Sequence, residues 1–205
     1  MRSSYLVFRN GSAQKVFIMD NLDIIRSKVV VCRLCDLSLK RIRAVPGEGP
    51  LEAKLFILGE APGRHEDEAG RPFVGMSGRF MDRYLELAGI DRSAAFVTNA
   101  VKCRPPNNRK PEMMEISACS PYLLGQLSAI KPSIVLALGT SACNALGIRY
   151  KQLSDVRGRL IQHDFHGHSL NVFVTFHPSF PMRFTKPRAE FLKDLKTVAS
   201  ILGRS

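Results

Sequence analysis

The sequence predicts an α/β fold built on a mainly parallel, four-stranded sheet with helices on both faces. Four short apolar runs rich in β-branched and aromatic residues predict it, at Leu55–Leu58, Ala95–Thr98, Ile134–Leu138 and Val172–Thr175. Stretches with helical spacing lie between and after them, and this alternation is how parallel strands joined by helical crossovers read. The runs are nearly continuous rather than alternating, as burial on both faces requires. A chain of 205 residues fits one domain, or one domain with a small appendage, and buries a full core without staples.

The elements follow in order. Residues 1–18 have no clear role. Asp20 makes a good helix cap, with Leu22, Ile25 and Val29 following at helical spacing. Met19 stands just before that cap. The native start is therefore placed at Met19, with residues 1–18 an extension and residues 19–205 a single domain; N-terminal mass spectrometry of the native protein tests this. After the first strand, Ser77 is the expected cap of a helix carrying Phe80, Tyr84, Leu85 and Ala88, with Gly89 ending it. Pro111 suits the first turn of a second helix carrying Ile116, Leu123, Leu127 and Ile130, and Pro121 inside it predicts a kink or break. A short helix runs from about Thr140 to Leu146. Pro187 opens the last one, with Phe191, Leu195, Val198 and Leu202 on one face and Gly203 behind it. There is no internal repeat and no low-complexity tract.

The net charge of +12 is spread over Lys40–Arg43, Arg104–Lys110, Arg149–Arg159 and Arg183–Arg188. Lys and Arg release counterions when they neutralise phosphates, so a polyanionic partner is expected, although charge alone is also met by a merely solvated basic surface. No long amphipathic helix rich in Lys or Arg argues for an anionic membrane. The longest apolar runs are too short to span a bilayer, and the N-terminus carries no signal-peptide pattern. The expectation is a cytoplasmic protein.

In open parallel sheets, ligands bind at the carboxyl ends of the strands. Gly59-Glu60-Ala61-Pro62-Gly63 follows the first strand, Asn99 the second, Gly139-Thr140-Ser141 the third and His177-Pro178-Ser179 the fourth. Singly, Glu60 could cap a helix, Asn99 hold a turn and His177 sit in a loop. Jointly, a carboxylate, an amide and an imidazole converge on one sheet edge, which is how a site is built. The glycine-rich stretch lacks G-x-G-x-x-G and lacks a G-K-[ST] ending, so dinucleotide and P-loop chemistry are disfavoured. No G-x-S-x-G elbow points to a serine hydrolase.

Cys32 and Cys35 form a C-x2-C pair, and Cys103 and Cys119 lie far downstream. In a cytosolic protein four such cysteines read as metal ligands rather than disulfides. Tetrahedral zinc and an iron–sulfur cluster both stay open; the stretched second pair leans away from zinc. Cys143 sits among Ala142, Ala145 and Leu146 and reads as a buried small hydrophobe. His163, His166 and His168 form a short tract, better read as a polar turn between two short strands than as a metal site.

These residues resemble the family 4 uracil-DNA glycosylases, the thermostable iron–sulfur type. The resemblance runs from about Asp20 to Leu202. It is carried by Cys32-Arg33-Leu34-Cys35, Val45-Pro46-Gly47-Glu48-Gly49, Gly59-Glu60-Ala61-Pro62-Gly63, Glu66-Asp67 and Pro72-Phe73-Val74-Gly75, then by Thr98-Asn99-Ala100-Val101-Lys102-Cys103-Arg104-Pro105-Pro106 and His177-Pro178-Ser179. It implies a three-layer α/β/α sandwich around a four-stranded parallel sheet, and a [4Fe-4S] cluster on Cys32, Cys35, Cys103 and Cys119. Ser77 in Met76-Ser77-Gly78 is a mild departure, since the family usually has Ala there. A related branch forms a covalent DNA adduct through a histidine in an insertion after the second strand. The segment Ala100–Pro111 is short and holds no histidine, so ordinary turnover is expected.

The resemblance further implies a monofunctional enzyme, a monomer acting on uracil-containing DNA, single- or double-stranded. It would flip the nucleotide out of the stack or take it from single strands. Phe73 is expected to stack on the uracil and Asn99 to read its edge. Glu66 is the candidate wall against the thymine methyl. His177 would donate to the developing anion at O2, with backbone amides near Gly59–Ala61 assisting. Glu60 would stabilise the cationic sugar or position water. Arg183, with Arg109 and Asn108, is expected to contact DNA. Contact with a replication clamp is left open, with no clear motif for it. The competing readings are a non-catalytic nucleic-acid binder with a structural zinc, and a glycosylase of wider taste that also removes hypoxanthine.

Overall fold

The computed structural model describes residues 5–9, 12–16 and 22–203. Strands β1 (Tyr5–Arg9) and β2 (Ser12–Val16) pair with each other in antiparallel register. Met19 and Asp20, the expected start and helix cap, lie outside the described residues. Helix α1 (Leu22–Val30) buries Ile25 and Val29, as its spacing predicts, and the short α2 (Leu37–Lys40) follows.

The main sheet consists of β3 (Leu55–Gly59), β4 (Ala95–Asn99), β5 (Ile134–Leu138), β6 (Leu160–Phe165) and β7 (His168–Thr175), in the order β4-β3-β5-β7-β6. The four expected strands are all present and mutually parallel. The count of four is corrected to five: β6 adds an antiparallel edge, hairpinned to β7 through His166 and Gly167. An edge strand with one wetted face tolerates polar residues, and Gln162, His163 and Asp164 hide β6 from a search for continuous apolar runs. The histidine tract is the turn-and-strand segment expected: His163 bonds the Leu146 carbonyl at 2.6 Å and His168 bonds Ser128 at 3.0 Å.

Alternate residues of each buried strand feed two cores. Phe56, Leu58, Val135, Ala137, Val172 and Val174 pack towards helices α5 (Met113–Ile130) and α6 (Gly139–Ala145). Leu55, Ile57, Val97, Leu136 and Phe173 pack towards α4 (Met76–Leu87) and α8 (Thr185–Leu202). This is the three-layer α/β/α arrangement. The strand order reverses around β3, and such a switch point opens a crevice at the carboxyl ends of the strands.

Three local expectations shift. Gly75, not Ser77, is the cap residue of α4, and its N–H donates to Glu66 Oε1 at 2.7 Å. Helix α5 starts after Glu112 rather than at Pro111, because Glu115 reaches back to the Glu112 N–H at 2.7 Å. It also runs unbroken through Pro121. Proline cannot donate to the carbonyl of Ser117, and the Ser120 hydroxyl supplies that bond instead at 2.9 Å. At the far side, buried Asp194 of α8 accepts from Thr175 at 2.7 Å and Arg157 at 2.9 Å, fastening the helix to the end of β7. Among the described residues no helix is long and apolar enough to cross a membrane.

Candidate active site

The ends of β3, β4 and β7 face a cavity of about 510 Å³ lined by Glu60, Glu66, Phe73, Asn99 and His177. Ala61, Asn108, Arg109 and Arg183 line it too. The structure thus gathers the residues singled out at the strand ends, and Gly59 lies directly beneath them. Gly59 pairs in register with Asn99, and a Cβ on it would overlap Asn99 Oδ1 and the edge of the Phe73 ring. Only hydrogen at that position lets the amide and the ring share one floor.

Asn99 closes β4 and is 2% exposed. Its Oδ1 is buried without a hydrogen-bond partner. An unpaired buried acceptor costs about 1–3 kcal/mol, a cost that a ligand N–H arriving in the cavity removes.

Phe73 is buried and adopts a left-handed backbone, φ 54°. That conformation is strained for a bulky residue and persists only where its surroundings fix it. Gly78 lets α4 press on the Phe73 backbone: a Cβ there would overlap the Phe73 carbonyl oxygen. Arg92 donates to the carbonyls of Pro72 at 2.9 Å and Phe73 at 3.3 Å, while its guanidinium pairs with Asp82 at 2.7 Å and Glu48 at 3.2 Å. Glu66, on α3 (Arg64–Ala69), ties the next loop down. Its carboxylate accepts from the N–H of Gly63 at 3.1 Å and of Gly75 at 2.7 Å.

His177 lies beyond β7, its ring centroid 6.1 Å from that of Phe73. The Ser179 N–H donates to His177 Nδ1 at 3.3 Å, and the Ser179 hydroxyl lies 2.9 Å from the same nitrogen. An Nδ1 that accepts carries no proton, so the ring's proton is on Nε2, the one donor it can offer. Burial lowers the His177 pKa below its usual value, with the charges of Glu60 and Glu66 working the other way. Burial prevails, and the neutral ring is favoured. Glu60 Oε2 accepts from the buried Ser141 hydroxyl at 2.5 Å, which fixes the carboxylate at the end of β3.

The rim holds the expected DNA contacts in different states. Arg109 forms a bidentate pair with Glu115, at 2.6 and 2.9 Å, and also reaches Glu112 at 3.3 Å. Asn108 accepts from Arg104 at 2.7 Å and, like Asn107, has a left-handed backbone. Arg183 is exposed and ends α7 (Ser179–Arg183). Sequence reasoning passed over Ser141, Ser179 and Arg92 as functional residues. Ser141 and Ser179 stand at strand ends already marked as site-bearing, whereas Arg92 has no local signal.

The four cysteines interact electrostatically: Cys103 with Cys32 and Cys35, and Cys119 with Cys103 and Cys35. All are free thiols, and burial pushes Cys119 up to about 11. Donors surround them: Arg41 Nη1 bonds Cys103 Sγ at 2.9 Å, and the backbone N–H groups of Leu34 and Lys102 bond Cys32 and Cys119 at 3.4 and 3.3 Å. Among the described residues no three His, Cys, Asp or Glu side chains close around a single ion. Cys143 is fully buried on α6, its thiol pushed up to about 12 by burial, in keeping with a hydrophobic role.

Comparison with known proteins agrees with this geometry. The model of the uracil DNA glycosylase superfamily matches residues 46–196. A type-4 uracil-DNA glycosylase of Saccharolobus solfataricus is 41% identical over 190 residues, 90% of this chain and 88% of that protein. One from Pyrobaculum aerophilum is 45% identical over 168 residues, covering 80% and 86%. One from Thermotoga maritima is 38% identical over 186 residues, covering 89% and 95%. The chain belongs to the uracil DNA glycosylase superfamily and, within it, to the type-4 uracil-DNA glycosylases.

Proposed function

We propose that this protein hydrolyses the N-glycosidic bond of uracil in DNA, taking the extruded nucleotide into the cavity at the carboxyl edge of the sheet. The observation that carries the reading is the orphaned Asn99 Oδ1, buried beside Phe73 in a cavity that also holds a neutral histidine and a carboxylate. Uracil N3–H supplies the donor that this acceptor lacks, and the Asn99 amide N–H meets O4. Cytosine reverses that edge and leaves buried groups unpaired, at about 1–3 kcal/mol each. Phe73 stacks on the base. Glu66, immobilised by Gly63 and Gly75, is a fixed wall against the thymine methyl.

As the bond breaks, electrons pass to the base and the sugar becomes cationic. The Nε2–H of His177 stabilises the developing anion at O2 without a proton transfer. Glu60, held by Ser141, faces the cationic sugar or orients the attacking water. The mechanism uses no lysine nucleophile, so strand cleavage does not accompany base removal. Arg183 contacts the DNA, and the protein works as a monomer in the cytoplasm.

Cys32, Cys35, Cys103 and Cys119 fit a [4Fe-4S] cluster better than zinc. Zinc sites commonly use two compact pairs, whereas Cys103 and Cys119 are separated by fifteen residues, and donors from Arg41, Leu34 and Lys102 meet three of the four sulfurs that would hold the cluster. When bound, it supplies a crosslink between the segment after α1, the segment after β4 and α5.

The test is a uracil-containing oligonucleotide treated with protein and then with alkali. Cleavage at uracil, and none at cytosine or thymine in parallel duplexes, is expected; intact uracil strands overturn the reading. Hypoxanthine duplexes in the same assay decide the breadth of the substrate range.

A further inference from the structure

Lys102 is 1% exposed, in the interior beneath the cavity floor. Its ammonium has three donors, and all three are used on uncharged oxygens: Thr98 Oγ1 at 2.6 Å, the Asn99 carbonyl at 2.8 Å and Gln126 Oε1 at 2.9 Å. The network closes on itself, because Thr98 Oγ1 and Gln126 Nε2 both donate to the Pro46 carbonyl, at 3.1 and 2.6 Å. Among the described residues no carboxylate pairs with this ammonium. Its backbone is engaged as well. The Lys102 N–H donates to Cys119 Sγ at 3.3 Å, and its carbonyl accepts from Val45 at 2.7 Å.

A buried cation without a carboxylate is costly to keep, so its retention needs a reason. A helix or strand interior would be better served by an apolar side chain. Three converging acceptors would not, since each would be left unpaired in a dry interior. One of them is the carbonyl of the residue whose amide faces the cavity. Fixing that carbonyl fixes the peptide plane at the end of β4, and with it the direction in which the Asn99 side chain leaves the backbone.

We propose that Lys102 is a positioning residue for base recognition: it holds Asn99 in its reading orientation and ties that orientation to the cysteine site through Cys103 and Cys119. The proposal rests on Asn99 reading the base. It accounts for a lysine at this buried position by the ammonium under the reader, while the backbone N–H of the same residue meets the Cys119 thiol.

The test uses the full-length protein with Lys102→Met, Lys102→Arg and the milder Thr98→Val, beside Asn99→Asp. Four quantities are read: iron content, inhibition by free uracil, the single-turnover rate on uracil strands, and the ratio of uracil to cytosine cleavage. Lys102→Met and Thr98→Val are expected to keep their iron while binding free uracil roughly tenfold more weakly, the scale of one misplaced hydrogen bond. The uracil-to-cytosine ratio should fall with them, and Lys102→Arg should recover part of it. Should Lys102→Met fail to fold, Thr98→Val decides, since its shape is kept and only the hydroxyl is lost. Wild-type uracil inhibition and selectivity in the folded variants, with selectivity lost in Asn99→Asp, overturn the role of Lys102 alone. Wild-type selectivity in Asn99→Asp overturns the reading of Asn99 and the proposal with it.

Discussion

His177 shows how a single side chain is set for one chemical task. The Ser179 N–H fixes its tautomer, and burial keeps the ring neutral below its usual pKa despite Glu60 and Glu66. In the proposed mechanism a neutral donor would strengthen its bond as charge develops on the base, without first being an ion that the cavity must hold. The sign follows from the lowered pKa: this site's contribution to stability is present above the histidine's ordinary value of about 6.5 and is lost as pH falls through the lower folded value. In nitrogen-15 NMR, His177 is expected to be the Nε2–H tautomer at neutral pH and to titrate below 6.5; a midpoint at or above that value contradicts the assignment. His177→Ala should slow single-turnover cleavage by about 100-fold, the scale for losing one oxyanion donor. Much of this site was legible beforehand. Glu60, Asn99 and His177 are polar residues immediately after apolar runs, and the topology of parallel sheets brings such positions together. Their partners were not legible. Glu60 and Ser141 are 81 residues apart, and no local pattern records a bond that only the finished sheet creates.

The loop carrying Phe73 makes the argument for elements. Helix α4 is capped at Gly75 rather than Ser77, and Glu66 accepts from the Gly75 N–H, so α3, the loop and α4 are joined into one piece. Arg92 completes the clamp from the turn before β4, with two loop carbonyls and two carboxylates on one guanidinium. A left-handed phenylalanine relaxes when such a clamp is removed. Arg92→Ala should therefore raise KM for uracil strands and slow single-turnover cleavage by roughly tenfold, since misplacement well away from the chemistry is known to cost up to about a hundredfold. Far-UV circular dichroism should be unchanged. Arg92→Lys should rescue little, because an ammonium cannot span four acceptors with a planar fork; full rescue would argue for simple charge balance instead. Three of the parallel strands were legible from the sequence nearly to the residue, since double-sided burial writes itself as an unbroken apolar run; of β7 only the last half, Val172–Thr175, could be read, because its first four residues are mostly polar. Strand β6 was not legible, because its polar face obeys a different rule. Short α3 and α7 also left no periodicity to read, and Ser120 cancelled the break that Pro121 announced.

For the whole molecule, the basic excess of the sequence does not distinguish one arginine at the cavity rim from another, and the ion pairs do. Arg109 spends its charge on Glu115, whereas among the described residues no carboxylate pairs with Arg183 at the same cavity rim. Arg183→Ala should reduce the salt dependence of DNA affinity by about one counterion, and Arg109→Ala should leave the slope close to wild type; equal slopes in both variants would count against this division. A cluster on the four cysteines would act on the same scale, because it would join segments that are far apart in the chain. Cys32 and Cys35 follow α1, Cys103 follows β4, and Cys119 lies on α5, so the proposed cluster would close the two connections between them. Closing loops of that length restricts the unfolded chain by about 2–4 kcal/mol per crosslink. For a domain of this size such a loss lowers Tm by roughly 2–4 °C per kcal/mol. Cys119→Ala should thus yield protein with less iron and a melting temperature lower by roughly 5–15 °C, measured by calorimetry beside an iron assay. The same variant should keep its parallel sheet, because Cys119 is one residue among many in the core on its face and the core on the opposite face does not contain it. If iron is lost with no change in Tm, the crosslink is not what the four thiols contribute, and the link through Lys102 to Asn99 becomes their principal consequence for the cavity.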